Sequence, residues 1–322
     1  MYRGERVAVY TGTRNLYKWM VAAVKSMLMH TDVDKIYLFI EDDEFPYELP
    51  SQVITRNVSN QKYFPADGPN MRSRFTYMAL IRAALCKEFP ELDRILSLDV
   101  DTIVVEDIGD IWDLELGDEY YFSAVPEPHR VKQEGYLYTN VGVTLFNLKK
   151  LRDGKADEVI NAINTVERLY VDQDILNELC HDNILPMPAE YNGSNFTYFG
   201  SKPKIVHYAA MRYWGDVELV QKYLNTPWND IEKYRKRNGM PSLEMKPDEE
   251  RIAEIAKLYI HKFGKIDGIK DWEYDFLTGK QTRIQNKPSY REVTIDESES
   301  GKRNGKPESE GEIRKPILDQ PV

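Results

Sequence analysis

Two stretches of this chain are apolar almost without interruption: Ile36-Tyr37-Leu38-Phe39-Ile40 and Ile95-Leu96-Ser97-Leu98. A strand that is apolar towards both faces is buried on both, which occurs in sheets covered by helices on each side. The surrounding pattern agrees. Residues 6–11 read as a strand, with Val7 and Val9 on one side and Ala8 and Tyr10 on the other. Leu16, Met20, Ala23 and Met27 then recur at helical spacing. Residues 35–40 and 94–100 are strands, 52–58 a weaker one, and 74–88 a helix ended by Pro90. Further strands are expected at 120–125, 141–146 and 204–208, and helices at 156–169 and 175–180. Strands alternating with helices predict βαβ units, hence an α/β fold with one mostly parallel, Rossmann-like sheet flanked by helices. No internal repeat is visible.

Composition sets the outer bounds. The chain has 322 residues, 42% hydrophobic and 30% charged, enough to build a sizeable core and too apolar for wholesale disorder. No apolar run approaches the ~18 residues of a membrane span. The first residues are followed by no apolar signal region, and two cysteines, Cys86 and Cys180, make no disulfide framework. A cytoplasmic protein without a transmembrane segment is expected. The net charge of −10 argues against nucleic acid as a partner. An anionic ligand must therefore be met locally, by a cation, an arginine or backbone amides. The texture changes after about residue 225. A globular domain over 1–230 is expected, then a partly helical extension over 231–285 with a helix at 248–262, then a disordered tail over 286–322.

The chemistry-bearing residues stand out against this frame. Leu96-Ser97-Leu98-Asp99-Val100-Asp101 runs an apolar strand into two carboxylates one residue apart. On a strand, positions i and i+2 face the same side, so Asp99 and Asp101 can converge on one cation. Oxygen ligands suit Mg²⁺ or Mn²⁺, and strand carboxyl ends are where open α/β sheets bind ligands. Asp-x-Asp is weak alone: it recurs at Asp32–Asp34 and Asp172–Asp174. The structural alternative is a strand-end turn or a helix cap. Arg82 falls in the inward stripe of the 74–88 helix, with Phe75, Met78, Leu85 and Phe89. A buried cation needs a partner or an anionic ligand, and either a salt bridge or a phosphate contact satisfies it. His207 ends the 204–208 strand; beside two aspartates it tilts a metal site towards Mn²⁺. Asn140-Val141-Gly142-Val143-Thr144 opens a strand whose glycine permits close approach. Asp172 and Asp174 read as helix caps, a role that leaves Gln173 unexplained. Tyr10-Thr11-Gly12-Thr13 ends the first strand, where backbone amides can meet a pyrophosphate. The dinucleotide, Walker and nucleophile-elbow fingerprints are absent.

In this order the segments resemble glycosyltransferase family 8, the retaining enzymes that include glycogenin and bacterial lipopolysaccharide galactosyl- and glucosyltransferases. The matching stretches are the Asp99–Asp101 strand, Asn140 to Leu148, Asp172-Gln173-Asp174-Ile175-Leu176-Asn177 and Ile205-Val206-His207-Tyr208, within about residues 5–215. The resemblance implies a type-A glycosyltransferase fold. It implies Mn²⁺ (or Mg²⁺) on Asp99, Asp101 and His207, with Val100 between the carboxylates in the donor-binding set. It places Tyr10, Thr11, Gly12 and Asn15 near the nucleotide, with Tyr17 stacking on uracil, and Arg82 on the donor sugar or diphosphate. Asn140 lies near the sugar, and Asp172 and Gln173 line its reacting face. Glu127 stands where the family has an Asp that contacts a sugar hydroxyl. After His207 the sequence departs: Ala210 replaces a glycine, a proline is gone, and Arg212 stands in for the phosphate-binding lysine.

The resemblance thus implies a metal-dependent retaining transferase. It moves a hexose from a UDP-sugar to a hydroxyl of a carbohydrate, lipid-linked or protein acceptor. A nucleotidyltransferase using the same metal site and a non-catalytic nucleotide-sugar binding module are the alternatives. Asn-x-Ser/Thr triplets at Asn57, Asn192 and Asn195 carry no weight without a secretory signal.

Overall fold

The computed structural model describes residues 2–73, 75, 77–197 and 202–245. In chain order the regular elements are β1 (Val7–Thr11), α1 (Tyr17–His30), β2 (Lys35–Ile40), β3 (Val53–Asn57), α2 (Leu85–Glu88), β4 (Arg94–Leu98), β5 (Thr102–Val104), β6 (Phe122–Pro126), α3 (Pro128–Glu134), β7 (Thr139–Asn147), α4 (Leu148–Leu151), α5 (Lys155–Thr165), α6 (Val171–Cys180), β8 (Ile184–Pro186), β9 (Ile205–His207), α7 (Glu218–Asn225) and α8 (Trp228–Arg237). Seven strands form one sheet in the order β3-β2-β1-β4-β7-β6-β8. Pairings are parallel except at β7, which runs antiparallel to both β4 and β6. A second, two-stranded sheet pairs β5 with β9.

The alternation in β1 sorts the core. Ala8 and Tyr10 pack with α1 residues such as Met20 and Val24 on one face. Val7 and Val9 pack on the other, with Met78 and Ile81 and with Ile175 of α6. Burying these two apolar layers against one sheet is the main driving force for the fold.

Three elements depart from the sequence pattern. The expected helix at 74–88 is a 3-10 turn over Tyr77–Ala84 followed by the single turn of α2. Its first residue, Arg74, lies outside the described residues, and Phe75 is 36% exposed rather than inward. The helix expected to reach 169 stops at Thr165. There the Asn70 side chain donates to Ile163 O (2.7 Å) and Val166 O (2.8 Å) and satisfies the freed carbonyls. The boundary expected at 230 falls inside the packed unit, because Ile231 is fully buried in the α1 cluster. Arg235 also donates to Leu28 O at the end of α1 (2.6 Å).

By its contacts the chain divides into Met1–Lys262 and Phe263–Val322. The helix expected at 248–262 and the tail expected at 286–322 lie outside the described residues. Among those described, no helix is long and apolar enough to cross a membrane.

Candidate active site

Asp99 and Asp101 do not lie on a strand. β4 stops at Leu98, and residues 99–101 form a tight turn into β5. Thr102 closes that turn, its Oγ1 donating to Asp99 O at 2.7 Å. The carboxylates converge because the chain reverses, not through strand periodicity. Pairing of β5 with β9 sets His207 opposite Thr102, and Tyr208 N donates to Asp101 O (2.9 Å). The result is a cluster in which one ligand atom each from Asp99, Asp101 and His207 lies within 4.8 Å of the others. His207 Nε2 is 3.3 Å from Asp101 Oδ1 and 3.7 Å from Asp99 Oδ2.

Gly142 makes the room. A Cβ there would stand 2.3 Å from His207 Cε1 and 2.8 Å from Asp99 Oδ2. The donor set, two carboxylates and an imidazole around an open approach, fits a divalent cation. Burial resists charge on His207, but Asp101 and Asp99 outweigh it and raise its pKa. Burial likewise pushes Asp99 up, and the charges of Arg82 and His207 carry it below the usual carboxylate range.

Arg82 is the second centre. It is buried, and its guanidinium reaches three groups: Nη2 donates to Asp99 Oδ1, Nη1 to Val141 O, and Nε to Ala79 O (3.1 Å). Asp172 Oδ2 lies 2.9 Å from Nε. Because that N–H is directed at Ala79, Asp172 Oδ2 has the positive charge beside it but no hydrogen bond among the described residues. Burial raises the Asp172 pKa to about 6, against the opposing pull of Arg82. Its backbone neighbour Val171 has φ +29°, a costly conformation for a β-branched residue and a mark of a locally constrained site.

At the start of α6 both carboxylates serve the helix's backbone, Asp172 at its own amide and Asp174 reaching back to the cap residue Tyr170. Asp174 accepts from Tyr170 N (3.0 Å), from the Tyr138 hydroxyl and from Arg130 (3.0 Å). Gln173 is held at both ends: Oε1 accepts from Val141 N (3.2 Å), and Nε2 donates to Tyr138 Oη (3.1 Å) and Glu127 Oε1 (3.3 Å).

Arg82, Asp99, Asp101, Asp172 and Gln173 meet in one cleft of about 400 Å³. Its walls include Thr11, Leu16, Phe75, Arg82, Asp99, Val100, Asp101, Val141, Tyr170, Asp172, Gln173 and Trp214. Other residues expected at the site stand elsewhere. The Tyr10 side chain is fully enclosed in the core. Gly12 N donates to Phe39 O (3.1 Å) in the sheet and offers no amide to a phosphate. Asn15 is exposed, accepting from the Thr13 hydroxyl (2.6 Å). Tyr17 is buried against Phe45, its hydroxyl bonded to Asp42 (3.0 Å) and to Glu41 N (2.8 Å), so neither ring face is open for stacking. Glu127 and Asn140 are buried behind Gln173 and bonded to each other (2.8 Å), and burial raises the pKa of Glu127 against those hydrogen bonds. Arg212 is exposed, its guanidinium over the Tyr213 ring. Ala210, where a glycine was expected, has φ +59°, the left-handed conformation that glycine adopts without strain.

Residues 8–217 match the family described as Glycosyl transferase family 8. The chain belongs to that family. Among curated relatives, the glycosyltransferase GlyE of Streptococcus pneumoniae serotype 4 is 27% identical over 207 residues, 60% of this chain and 48% of GlyE. A putative glycosyltransferase of Haemophilus influenzae is 27% identical over 136 residues, 37% of this chain and 41% of the relative. This family member thus spans less than half the length of those curated relatives. Among solved structures, GlyE superposes with a TM-score of 0.55 at 23% identity, covering 74% of this chain and 66% of GlyE. The galactosyltransferase LgtC, crystallised with donor and acceptor sugar analogues, superposes with a TM-score of 0.53 at 19% identity, covering 76% of this chain and 99% of LgtC. The family 8 chain has the type-A glycosyltransferase fold.

Asn192 and Tyr138 were not legible as site residues. Asn192 reaches His207 because Gly193 N donates to Ile205 O (2.9 Å) and His207 N to Gly193 O (3.0 Å), a pairing with no local periodic signal. Tyr138 immediately precedes β7 and shows no feature that separates it from a core tyrosine.

Proposed function

We propose that the protein is a metal-dependent retaining hexosyltransferase that uses a UDP-sugar donor and an acceptor hydroxyl. One observation carries the reading: Asp99 and Asp101, which cluster with His207, line the same cleft as Arg82, Asp172 and Gln173. Mn²⁺ held by Asp99, Asp101 and His207 would supply, when bound, the positive charge that a departing diphosphate requires. Arg82 adds a fixed, preorganised positive charge beside it. In a chain of net charge −10 such local cations are needed to admit an anionic donor.

Asp172 presents a carboxylate that is ionised above pH about 6 and whose Oδ2 accepts no hydrogen bond among the described residues, suited to stabilising positive charge developing at the anomeric carbon. Gln173 is an amide, a poor nucleophile, and its two ends are committed to Val141, Tyr138 and Glu127. Double displacement through a covalent intermediate would require a carboxylate at that position. Retention therefore follows from attack on the same face, with the leaving phosphate accepting the acceptor's proton.

Arg212 favours a second reading, a nucleotide-sugar binding module that does not turn over, because the residue expected to clamp phosphate lies over Tyr213 outside the cleft lining. Thermal shift with UDP and UDP-sugars, with and without Mn²⁺, followed by a UDP-release assay, separates the two. Metal-dependent stabilisation with UDP release supports the transferase. Binding without release, with acceptors of each class supplied, supports the module. No metal-dependent effect of UDP removes both.

A further inference from the structure

Asn192 is fully buried and lies between the metal-binding cluster and the residues behind Gln173. Its Nδ2 donates to Asn140 Oδ1 (2.9 Å) and its Oδ1 faces His207 Nδ1 (2.9 Å). Asn140 Oδ1 also accepts from Gly142 N (3.0 Å), while Asn140 Nδ2 donates to Glu127 Oε1 (2.8 Å).

The polarity of this chain is fixed from one end. A backbone N–H can only donate, so the Asn140 atom facing Gly142 is the oxygen. The Asn192 atom facing that oxygen is then its amide nitrogen. The opposite end of Asn192 is therefore an oxygen, which can only accept. His207 must donate to it from Nδ1. The neutral ring then carries no proton on Nε2, and this lone pair stands 3.3 Å from Asp101 Oδ1 and 3.7 Å from Asp99 Oδ2. Bare nitrogen is the form in which imidazole binds a metal, and the hydrogen bond made by the other nitrogen selects it.

We propose that Asn192 is a positioning residue that locks His207 in its Nδ1–H tautomer and so presents Nε2 as the metal's nitrogen ligand. Gly142 sets the direction of the relay through Asn140. The proposal rests on the reading of Asp99, Asp101 and His207 as a metal site. It also gives a structural role to an Asn-x-Ser triplet whose asparagine is inaccessible to glycosylation in the folded chain.

The test is made on the full chain with Mn²⁺ and no nucleotide. Electron paramagnetic resonance measures the affinity, and its pulsed form detects ¹⁴N coupling from a directly bound imidazole. Wild type is expected to bind Mn²⁺ with one coordinated nitrogen. Asn192→Leu, which removes the acceptor, is expected to lose the ¹⁴N coupling and to bind Mn²⁺ about 10- to 100-fold more weakly. Asn192→Asp, which keeps an acceptor for Nδ1–H, is expected to retain the coupling. A leucine variant that keeps both coupling and affinity overturns the proposal. So does an aspartate variant that loses the coupling with native circular dichroism, a result that decides the matter even if the leucine variant does not fold. Wild type that binds Mn²⁺ without nitrogen coupling overturns it too. Wild type that binds no Mn²⁺ overturns the metal reading itself, and is distinguishable from the other outcomes.

Discussion

Arg82 Nε lies 2.9 Å from Asp172 Oδ2, and neither side chain is more than 6% exposed. The same guanidinium holds Asp99 on its other side. Arg82 and Asp172 are thus packed together with little water, where an uncompensated charge is costly, while Asp99 stays a third exposed.

Removing the shared cation should expose that cost. Arg82→Met is expected to destabilise the protein by about 3–5 kcal/mol, because it leaves the buried Asp172 carboxylate without its partner. Adding Asp172→Asn should recover part of the loss, a coupling that a double-mutant cycle in urea measures. Strict additivity of the two substitutions would show that the ion pair contributes nothing.

The cation site should fail in a different way. Asp99→Asn and Asp101→Asn are each expected to abolish the metal-dependent part of the UDP thermal shift while leaving a folded protein. Turnover at matched Mn²⁺ should fall by at least about tenfold. Wild-type turnover in Asp99→Asn would remove the aspartate from the site.

Much of this arrangement is legible in the sequence, for reasons that differ by residue. The apolar runs at β2 and β4 mark buried strands of a sheet covered on both faces. Arg82 is visible because it breaks an apolar stripe, and the burial that makes it visible is also what forces it onto Asp99 and Asp172. Asp99 and Asp101 are visible as a triplet, although a turn, not strand periodicity, brings them together. Tyr10 and Tyr17 show the limit. Residues at the end of β1 and the start of α1 face either the core or the cleft, and local spacing does not say which. The partnership of Asn192 with His207 depends on backbone pairing of residue 193 with residues 205 and 207, which no local pattern encodes.

Asp172 gives the stability a pH signature. Its folded pKa, about 6, lies above the ordinary carboxylate value. Between roughly pH 4 and 6 the folded state therefore binds more protons at this group than the unfolded state does. Its contribution is fully present below the unfolded value and is lost as pH rises through about 6. The stability of wild type relative to Asp172→Asn should thus fall over that window, by an amount of order 2–3 kcal/mol. Urea midpoints of the two proteins at pH 4, 5, 6 and 7 measure it. A constant difference across the series would place the Asp172 pKa at its ordinary value.

Ala210 is exposed and held at φ +59°. A left-handed alanine costs roughly 1–2 kcal/mol, and glycine relieves that at some expense in unfolded-chain entropy. Ala210→Gly is therefore expected to stabilise the protein by about 0.5–1 kcal/mol, read as a higher urea midpoint with an unchanged slope. Destabilisation would mean that the loop after His207 tolerates alanine without strain.

Gly142 tests whether the space around His207 is required. An added Cβ at 2.3 Å from His207 Cε1 and 3.0 Å from Asn140 Oδ1 cannot be accommodated without moving one of them, and both belong to the chain of contacts that presents Nε2. On the β4 side Gly142 O accepts from Asp99 N (2.8 Å), a bond that moving the backbone away from His207 would break; on the β6 side the pairing skips residues 141–143. Gly142→Ala is expected to lower stability by about 1–3 kcal/mol, as overpacking does. Its larger effect should be on Mn²⁺, with the nitrogen coupling lost because the imidazole is displaced. An alanine variant that binds Mn²⁺ as wild type does, through the same nitrogen, would show that His207 has freedom the packing denies it.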